Sequence, residues 1–375
     1  MSRQPGLDLL RATAILWVMI YHAQILGVIH QNALARFGWM GVDLFFALSG
    51  FLIGGQLFKP IANGQPLKLS TFYARRVFRT VPAYLVVLAL YVSVPVFRER
   101  PGLGPLWQYL TFTQNLFVDF YRDKAFSHVW SLCVEEQFYL IAPLLVLLLA
   151  WRPSPTKAIA ACLFLFAGEA ALRGYIWLHA LAPIRPVAVG PESFGVRWME
   201  EIYYPTWMRL DDLLAGLGFA LIKAFRPTVW QAVMRRGNLL LGSGVLSTVV
   251  AAWLFQNQTA FLPSAIGYSV LALGMGLLVA SGAGTTSIIG RRAVPGASVI
   301  AAMAYSLYLT HKGIYHLAVA GQRYEFLTPV LCAIAALAGG AVLYLTVERP
   351  FLLLRDSLFD RRKADVDYAL AAETG

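Results

Sequence analysis

Two ionisable residues, Arg11 and His22, lie eleven residues apart in the first apolar stretch of this chain. An α-helix turns about 100° and rises about 1.5 Å per residue, so eleven residues make three turns plus roughly 20° and about 16 Å. The two side chains are therefore expected on one helix face, one near each end of the stretch. Ionisable side chains are costly in hydrocarbon and are kept there mainly for function. The pair predicts a reaction path from one membrane surface toward the other.

Further ionisable groups are predicted at the depth of His22. Glu135, Glu136 and His311 each fall roughly 10–13 Å from the same end of their own apolar stretches, as His22 does. An imidazole beside a carboxylate in a low-dielectric cavity is a plausible general base. The alternative is that a histidine in an apolar helix only packs and forms a hydrogen bond. Two adjacent carboxylates at that depth each need a partner or a proton, which favours function or a tight ion pair.

Basic residues cluster on the opposite side of the predicted membrane. Arg75 and Arg79 are four residues apart and Arg76 lies between them, so Arg75 and Arg79 share one helix face. Together with Arg11 they could bind a phosphorylated ligand. The alternative, equally supported by the residues alone, is that they set the topology and contact anionic lipid.

For Asp43 and Asp8, an ion pair with an arginine is a structural alternative to a role in binding. Asp43 begins the second apolar stretch, where it could contact a substrate or pair with Arg209. Asp8 precedes Arg11 by three residues, so the two share a helix face and Asp8 could simply hold the guanidinium.

Composition fixes the class of protein. Of 375 residues, 58% are hydrophobic and only 14% are charged, against roughly 25% charged in soluble domains. The formal net charge of +11 does not indicate nucleic-acid binding, because the basic residues lie in short loops between apolar segments. The sequence predicts an all-α polytopic membrane protein with about ten spans, at 8–29, 38–58, 77–97, 129–149, 157–181, 207–224, 238–256, 263–281, 298–320 and 327–347.

The distribution of basic residues predicts the orientation. With both termini in the cytoplasm, nineteen Lys and Arg fall inside and eight outside, as the positive-inside rule requires. We expect a membrane domain over residues 1–350 and a disordered cytoplasmic tail over 351–375. No cleavable signal peptide is expected, because no small-residue cleavage site follows the first stretch. No His, Cys and carboxylate spacing matches a metal site, so no metal is expected.

Seven sequence segments, in order, resemble the acyltransferase 3 family of bacterial integral membrane O-acyltransferases. The segment from His128 to Leu140, with its Trp-Ser-Leu-Cys-Val-Glu-Glu-Gln-Phe-Tyr-Leu string, is the most specific of them. The others are Leu7–Ala12 with His22, Gly41–Ile53, Phe72–Pro82, Thr111–Asn115, Arg209–Gly216 and Tyr305–His311.

This resemblance implies an enzyme of the bacterial inner membrane that takes an acyl group, most often acetyl, from cytoplasmic acyl-CoA. It implies that Arg11, Arg75, Arg76 and Arg79 lie near the CoA phosphates. It also implies a hydroxyl acceptor on a glycan or lipid-linked saccharide, typically at the periplasmic face, as in polysaccharide biosynthesis. Many relatives carry an additional hydrolase-like domain, so this chain is expected to be a stand-alone form, and a separate periplasmic partner for transfer stays open.

The sequence therefore predicts the following roles. His22, assisted by Glu135 or Glu136, removes the hydroxyl proton or first carries the acyl group, and the residues leave both routes open. Asp43, Ser131, Asp211 and His311 are expected on the acceptor side. The rival hypotheses are a transporter or exporter of a lipid-linked glycan and a non-catalytic subunit of a glycan-modifying complex.

Overall fold

The computed structural model of the chain describes residues 4–150, 154–320 and 328–359. Within these residues the fold is all-α, with no strand, which confirms the predicted class. Every predicted span contains one long helix. The ten are α1 (Pro5–Ile25), α2 (Met40–Ala62), α3 (Leu69–Ser93), α4 (Trp130–Ala150), α5 (Pro155–Ile176), α6 (Asp211–Phe225), α7 (Gly237–Leu254), α8 (Tyr268–Ala283), α9 (Ala297–Ala320) and α10 (Thr328–Leu343).

Several long helices are extended by irregular turns. A π-helical turn, Trp177–Leu181, continues α5, another, Pro263–Gly267, leads into α8, and a third, Tyr344–Glu348, follows α10. The helical backbone after α10 continues to Phe359, past the domain boundary predicted at residue 350. The rest of the predicted tail, 360–375, lies outside the described residues.

Seven helices of the described part are long and apolar enough to cross a membrane, namely α2, α3, α4, α5, α7, α8 and α10 with their continuations. An eighth span results if α6 is joined to the helix Pro227–Met234, from which it is bent by 115°. Helices α1 and α9 fall outside this set although they have 21 and 24 residues. These two carry Arg11, His22, His311 and Lys312, which make them less apolar. The count of ten spans and the orientation stay predictions.

The chain forms two compact units. The first unit contains residues up to Leu67 and Arg98–Ala304, and so holds α1, α2, α4 to α8 and the first turns of α9. The second unit contains Lys68–Phe97 and the chain from Tyr305, and so holds α3, the rest of α9, and α10.

Close helix contacts through glycine build the first unit. Helix α2 packs most extensively along α6, and a Cβ added at Gly50 would collide with the carbonyl of Leu213. On the facing helix, a Cβ at Gly216 would collide with the carbonyl of Ala47. Small residues let membrane helices approach backbone to backbone. This contact fixes the start of α6 against α2, and therefore the polar residues on both.

The second unit is held by polar bonds as well as by packing. The hydroxyl of Tyr305 on α9 donates to the carbonyl of Thr80 on α3 at 2.9 Å. Ser306 donates to the buried carboxylate of Glu348 at 2.6 Å, which ties α9 to the π-helical turn after α10.

Candidate active site

Two buried imidazoles face each other in the first unit. His22 lies on α1, and His128 lies on the 3₁₀ turn Ser127–Val129 that immediately precedes α4. Their exposed fractions are 8% and 2%, and their ring centroids are 6.0 Å apart with planes tilted by 56°. The sequence predicts His22 in a polar cavity, whereas it predicts no role for His128.

A carboxylate completes this cluster. Oε1 of Glu99 lies 3.4 Å from Nδ1 of His128, and the Ser127 hydroxyl donates to Oε2 of Glu99 at 2.8 Å. An ionised carboxylate only accepts hydrogen bonds, so with Glu99 ionised this contact is made by the Nδ1–H of His128. Sequence reasoning missed Glu99, because its position between Arg98 and Arg100 resembles an ordinary surface loop.

Aromatic rings enclose His128. The Phe126 ring lies 5.0 Å from the imidazole, and Tyr109 stacks against Phe126 at 6.3 Å with nearly parallel planes. Burial raises the pKa of Tyr109 above its ordinary value, so this hydroxyl keeps its proton at neutral pH. The side chains of His128 and Glu99 are 1% and 10% exposed, so the pair is largely buried.

The predicted carboxylates lie on the next turns of α4 and are partly exposed. Glu135 accepts a hydrogen bond from Ser49 on α2 at 3.0 Å and from the Tyr139 hydroxyl at 2.8 Å. Ser49 is thus a polar link between α2 and α4. Ser131 is buried, and its hydroxyl donates to the carbonyl of His128 at 3.3 Å. The assistance of His22 by Glu135 or Glu136 stays a prediction.

Asp43 pairs with Arg209, which is the structural alternative considered from sequence. The two charged groups are 2.5 Å apart and neither side chain is exposed. The guanidinium also lies 4.3–5.1 Å from the rings of Trp130, Tyr203 and Tyr268. Cation–π contacts of this kind stabilise a desolvated guanidinium.

A second buried pair lies beside the first. Arg173 on α5 donates to Asp211 at 2.9 Å with no exposure of either side chain, and it also donates to Ser269 on α8 at 2.8 Å. Glu169, one turn earlier on α5, accepts from the backbone N–H of Leu210 at 2.7 Å. Arg173 and Glu169 were not singled out from the sequence, although charged residues within an apolar span are a signal for such a site.

The predicted phosphate-binding arginines belong to different units. Arg75, Arg76 and Arg79 lie on α3 in the second unit; Arg75 is exposed and the other two are partly exposed. Arg75 lies 5.6 Å from the ring of Phe359. The side chains of Arg75 and Arg79 occupy successive turns of one helix, as expected.

Arg11 lies in the first unit. Its guanidinium is 4.0 Å from the carboxylate of Asp8, one turn earlier on α1. The predicted contact between these two residues is confirmed.

His311 lies in the second unit and is fully buried. Its Nδ1 is 2.9 Å from the carbonyl of Leu307, one turn earlier on α9. A carbonyl only accepts, so Nδ1 carries a proton. The ring is thereby oriented by its own helix, between the rings of Tyr308 and Tyr315.

A model of an acyltransferase domain family matches residues 4–345 of the chain. The chain belongs to the acyltransferase 3 family. In the described part of the chain, no group of three or more His, Cys, Asp or Glu could hold a metal ion.

Curated acyltransferase relatives share about a quarter of their aligned residues with the chain. The peptidoglycan O-acetyltransferase OatA of Listeria monocytogenes is 28% identical over 272 residues, which is 69% of this chain and 39% of that protein. The O-acetyltransferase OatA of Staphylococcus aureus is 26% identical over 327 residues, which is 82% of this chain and 50% of that protein. The chain thus spans half or less of the length of these relatives. No solved structure is significantly similar to it.

Two segments through which the chain resembles the acyltransferase 3 family are joined by a closed hydrogen-bond network. The amide of Gln137 donates to Asn115 at 2.9 Å and to the carbonyl of Phe112 at 2.7 Å. Asn115 donates to Thr206 at 2.8 Å, and Thr206 donates back to Gln137 at 2.6 Å. Phe112 has a φ of 54°, which is unusual for a bulky residue. Gln137 therefore holds a strained loop against α4.

An apolar cavity of about 220 Å³ opens next to this network in the acyltransferase domain. Gln137 and Thr206 form one polar edge, and the remaining lining comes mostly from apolar side chains of α2, α4, α5 and α6.

Proposed function

We propose that this chain is a membrane O-acyltransferase that moves an acyl group, most simply acetyl, from acyl-CoA to a hydroxyl of a glycan. The family assignment and the two OatA relatives support the reaction class. The observation that carries the proposal is the buried imidazole of His22 next to the His128–Glu99 pair. Neutral imidazoles in a water-poor site suit proton abstraction and acyl transfer.

The catalytic assignment rests on His22. Its imidazole removes a proton from the acceptor hydroxyl or attacks the thioester. Glu135 or Glu136 assists it by stabilising the positive charge that develops on the ring. Glu135 is already held by Ser49 and Tyr139, so its carboxylate direction is fixed by two donors.

The donor side consists of Arg11 and the three arginines Arg75, Arg76 and Arg79. Guanidinium groups suit the phosphates of CoA, because their donors match phosphate oxygens in pairs. We propose that these four residues bind acyl-CoA from the cytoplasm, as the positive-inside orientation implies.

The acceptor side is proposed to be a glycan or lipid-linked saccharide at the periplasmic face of the bacterial inner membrane. The name of the Listeria relative, a peptidoglycan O-acetyltransferase, supports a glycan acceptor. Ser131 and His311 are proposed to border this acceptor site, and a separate periplasmic partner stays open. Asp43 and Asp211 contribute through the position that their ion pairs impose on α2 and α6.

The test is acyl transfer by the purified protein in lipid vesicles, with labelled acetyl-CoA as donor and a peptidoglycan-derived oligosaccharide as acceptor. His22→Ala is expected to lower turnover by about 10²–10⁴-fold, the usual contribution of a positioned base. His30→Gln is the matched control, because His30 is an exposed histidine in the loop after α1. Near-normal turnover by His22→Ala, or glycan transport without consumption of acetyl-CoA, would reject the proposal in favour of a transporter or a non-catalytic subunit.

A further inference from the structure

The described structure brings together two histidines that are 106 positions apart in sequence, although a direct transfer needs only one base. His22 is on α1 and His128 is on the turn before α4, with ring centroids 6.0 Å apart and almost no exposure. A group bonded to one of these rings could therefore lie within reach of the other imidazole. A catalytic role for the second imidazole needs a reaction step that requires a second base.

A second base is required if His22 itself carries the acyl group. An imidazole nitrogen bonded to an acyl carbon has no lone pair with which to accept a proton. The acceptor hydroxyl must then lose its proton to another group within hydrogen-bond reach of the same carbon. His128 is the neighbouring imidazole that the structure offers.

Glu99 prepares His128 for this role. Its carboxylate accepts from Nδ1 of His128 at 3.4 Å and is itself held by the Ser127 hydroxyl. The neutral ring therefore presents the lone pair of Nε2, and the carboxylate stabilises the imidazolium after proton uptake. Nothing comparable was expected for His128 from its place in the sequence.

We propose, on the basis of the proposed function, that acyl transfer runs in two steps through an acyl group on His22, and that His128, oriented by Glu99, is the base of the second step. The sequence alone leaves two routes open, namely direct transfer and transfer through an acyl group on His22. The pairing of a second imidazole with its own carboxylate favours the covalent route.

Each step of the transfer breaks one bond to the acyl carbon and forms another. In the first, a ring nitrogen of neutral His22 attacks the thioester carbonyl, a C–N bond forms, the C–S bond breaks, and CoA leaves as a thiolate. In the second, Nε2 of His128 takes the hydroxyl proton, the alkoxide oxygen attacks the acyl carbon, and the C–N bond breaks to restore neutral His22. The proton on His128 is then released to solvent, and the thiolate takes up one proton, so one acyl ester and one CoA thiol are formed.

The first experiment uses the unmodified protein in lipid vesicles with labelled acetyl-CoA and no acceptor. An acyl group on His22, located by mass spectrometry of the protein, is expected to form and then to disappear when a glycan acceptor is added. His22→Ala is expected to carry no label. If the unmodified protein transfers acetyl to glycan but never carries it on His22, the two-step route is wrong while the proposed function survives.

The second experiment separates the two histidines with hydroxylamine, a nucleophile that attacks acyl-imidazoles without help from a base. His128→Gln is expected to lose about 10²–10⁴-fold in transfer to glycan, to retain the acyl group on His22, and to regain turnover when hydroxylamine is the acceptor. His22→Ala is expected to gain nothing from hydroxylamine. Equal responses of both variants to hydroxylamine would overturn the assignment of His128.

Glu99 is a positioning residue, and its variants test the same step with the imidazole in place. Glu99→Gln is expected to slow transfer to glycan more than transfer to hydroxylamine, and Glu99→Asp to recover part of the difference. These two Glu99 variants also test the role of His128 if His128→Gln fails to insert stably into the membrane. A purely structural role for Glu99 would lower both transfers equally, which would contradict the proposal.

Discussion

Two buried polar clusters of the first unit differ in the kind of group they contain. The histidine cluster consists of His22, His128 and Glu99, and imidazole is the side-chain group whose unperturbed pKa lies closest to neutral pH. The arginine cluster consists of the pairs Asp43–Arg209 and Arg173–Asp211, in which guanidinium groups stay charged at every physiological pH. We therefore expect the first cluster to move protons and the guanidinium groups of the second cluster to hold helices in place.

The surroundings of the clusters support this division. Arg209 lies against three aromatic rings, and Arg173 bonds to α6 and α8 and to the backbone carbonyl of Met208. The two His rings, in contrast, approach each other at 6.0 Å across two separate elements. The proposed function therefore assigns the chemistry to the groups whose charge can change.

The largest expected effect on folding comes from breaking the Asp43–Arg209 pair. Arg209→Met leaves a fully buried carboxylate without its cation, which costs about 3–5 kcal/mol in buried pairs of this kind. The yield of folded protein and its Tm in detergent should fall sharply.

The double variant Asp43→Leu/Arg209→Met is the matched control, because it removes both charges together. It should recover much of the lost Tm and, with it, acyl transfer. Recovery of Tm without any transfer would mean that Asp43 contacts substrate rather than only holding α2.

A smaller loss of stability is expected at the network that joins Gln137, Asn115 and Thr206. Gln137→Leu removes the donor to the carbonyl of Phe112 and to Oδ1 of Asn115, and it removes the acceptor of the Thr206 hydroxyl. The cost is about 1–3 kcal/mol per buried group left unsatisfied. Tm should fall by less than in Arg209→Met, and turnover per folded molecule should fall only in proportion. A selective loss of turnover would place Gln137 in the reaction instead.

The link between α2 and α4 through Ser49 should have a smaller effect again. Ser49→Ala removes one hydrogen bond to the carboxylate of Glu135, worth about 1.5–3 kcal/mol at most for a charged acceptor that keeps its second donor, Tyr139. If Glu135 assists His22, turnover should fall by more than the loss of folded protein indicated by the lower Tm. An unchanged turnover would favour Glu136 in that role.

The smallest effect is expected at Arg75, the exposed arginine of α3. Arg75→Ala should raise the KM for acetyl-CoA by about tenfold or less with unchanged kcat, because it removes ground-state binding to phosphate. Arg235→Ala, an exposed arginine outside α3, is the control and should leave KM unchanged. A drop in kcat without a change in KM would contradict a donor-binding role for Arg75.

The helices could be predicted one by one from sequence, because length and apolar composition are local properties. The ten predicted stretches each contain one helix, and α1 presents Arg11 close to Asp8 as the spacing predicted. Pairs of polar residues on different helices were harder to predict. The Asp43–Arg209 pair was anticipated only as one of two alternatives.

The contacts of the candidate site could not be predicted, because they depend on which elements meet. Glu99 and His128 are 29 residues apart, and nothing in their local sequence shows that a loop carboxylate meets the turn before α4. Arg173, by contrast, carried a readable signal, since a guanidinium inside an apolar span needs a buried partner. The shared depth predicted for His22, Glu135, Glu136 and His311 stays a prediction.

The most direct test of the contrast is to measure turnover per folded molecule and Tm side by side in His22→Ala and Arg209→Met. His22→Ala should keep its Tm and lose transfer from acetyl-CoA to glycan, whereas Arg209→Met should lose Tm and retain transfer in the molecules that stay folded. The opposite pattern is an active His22→Ala together with a folded but inactive Arg209→Met. This result would assign the reaction to the guanidinium cluster instead of the imidazoles and would contradict the account.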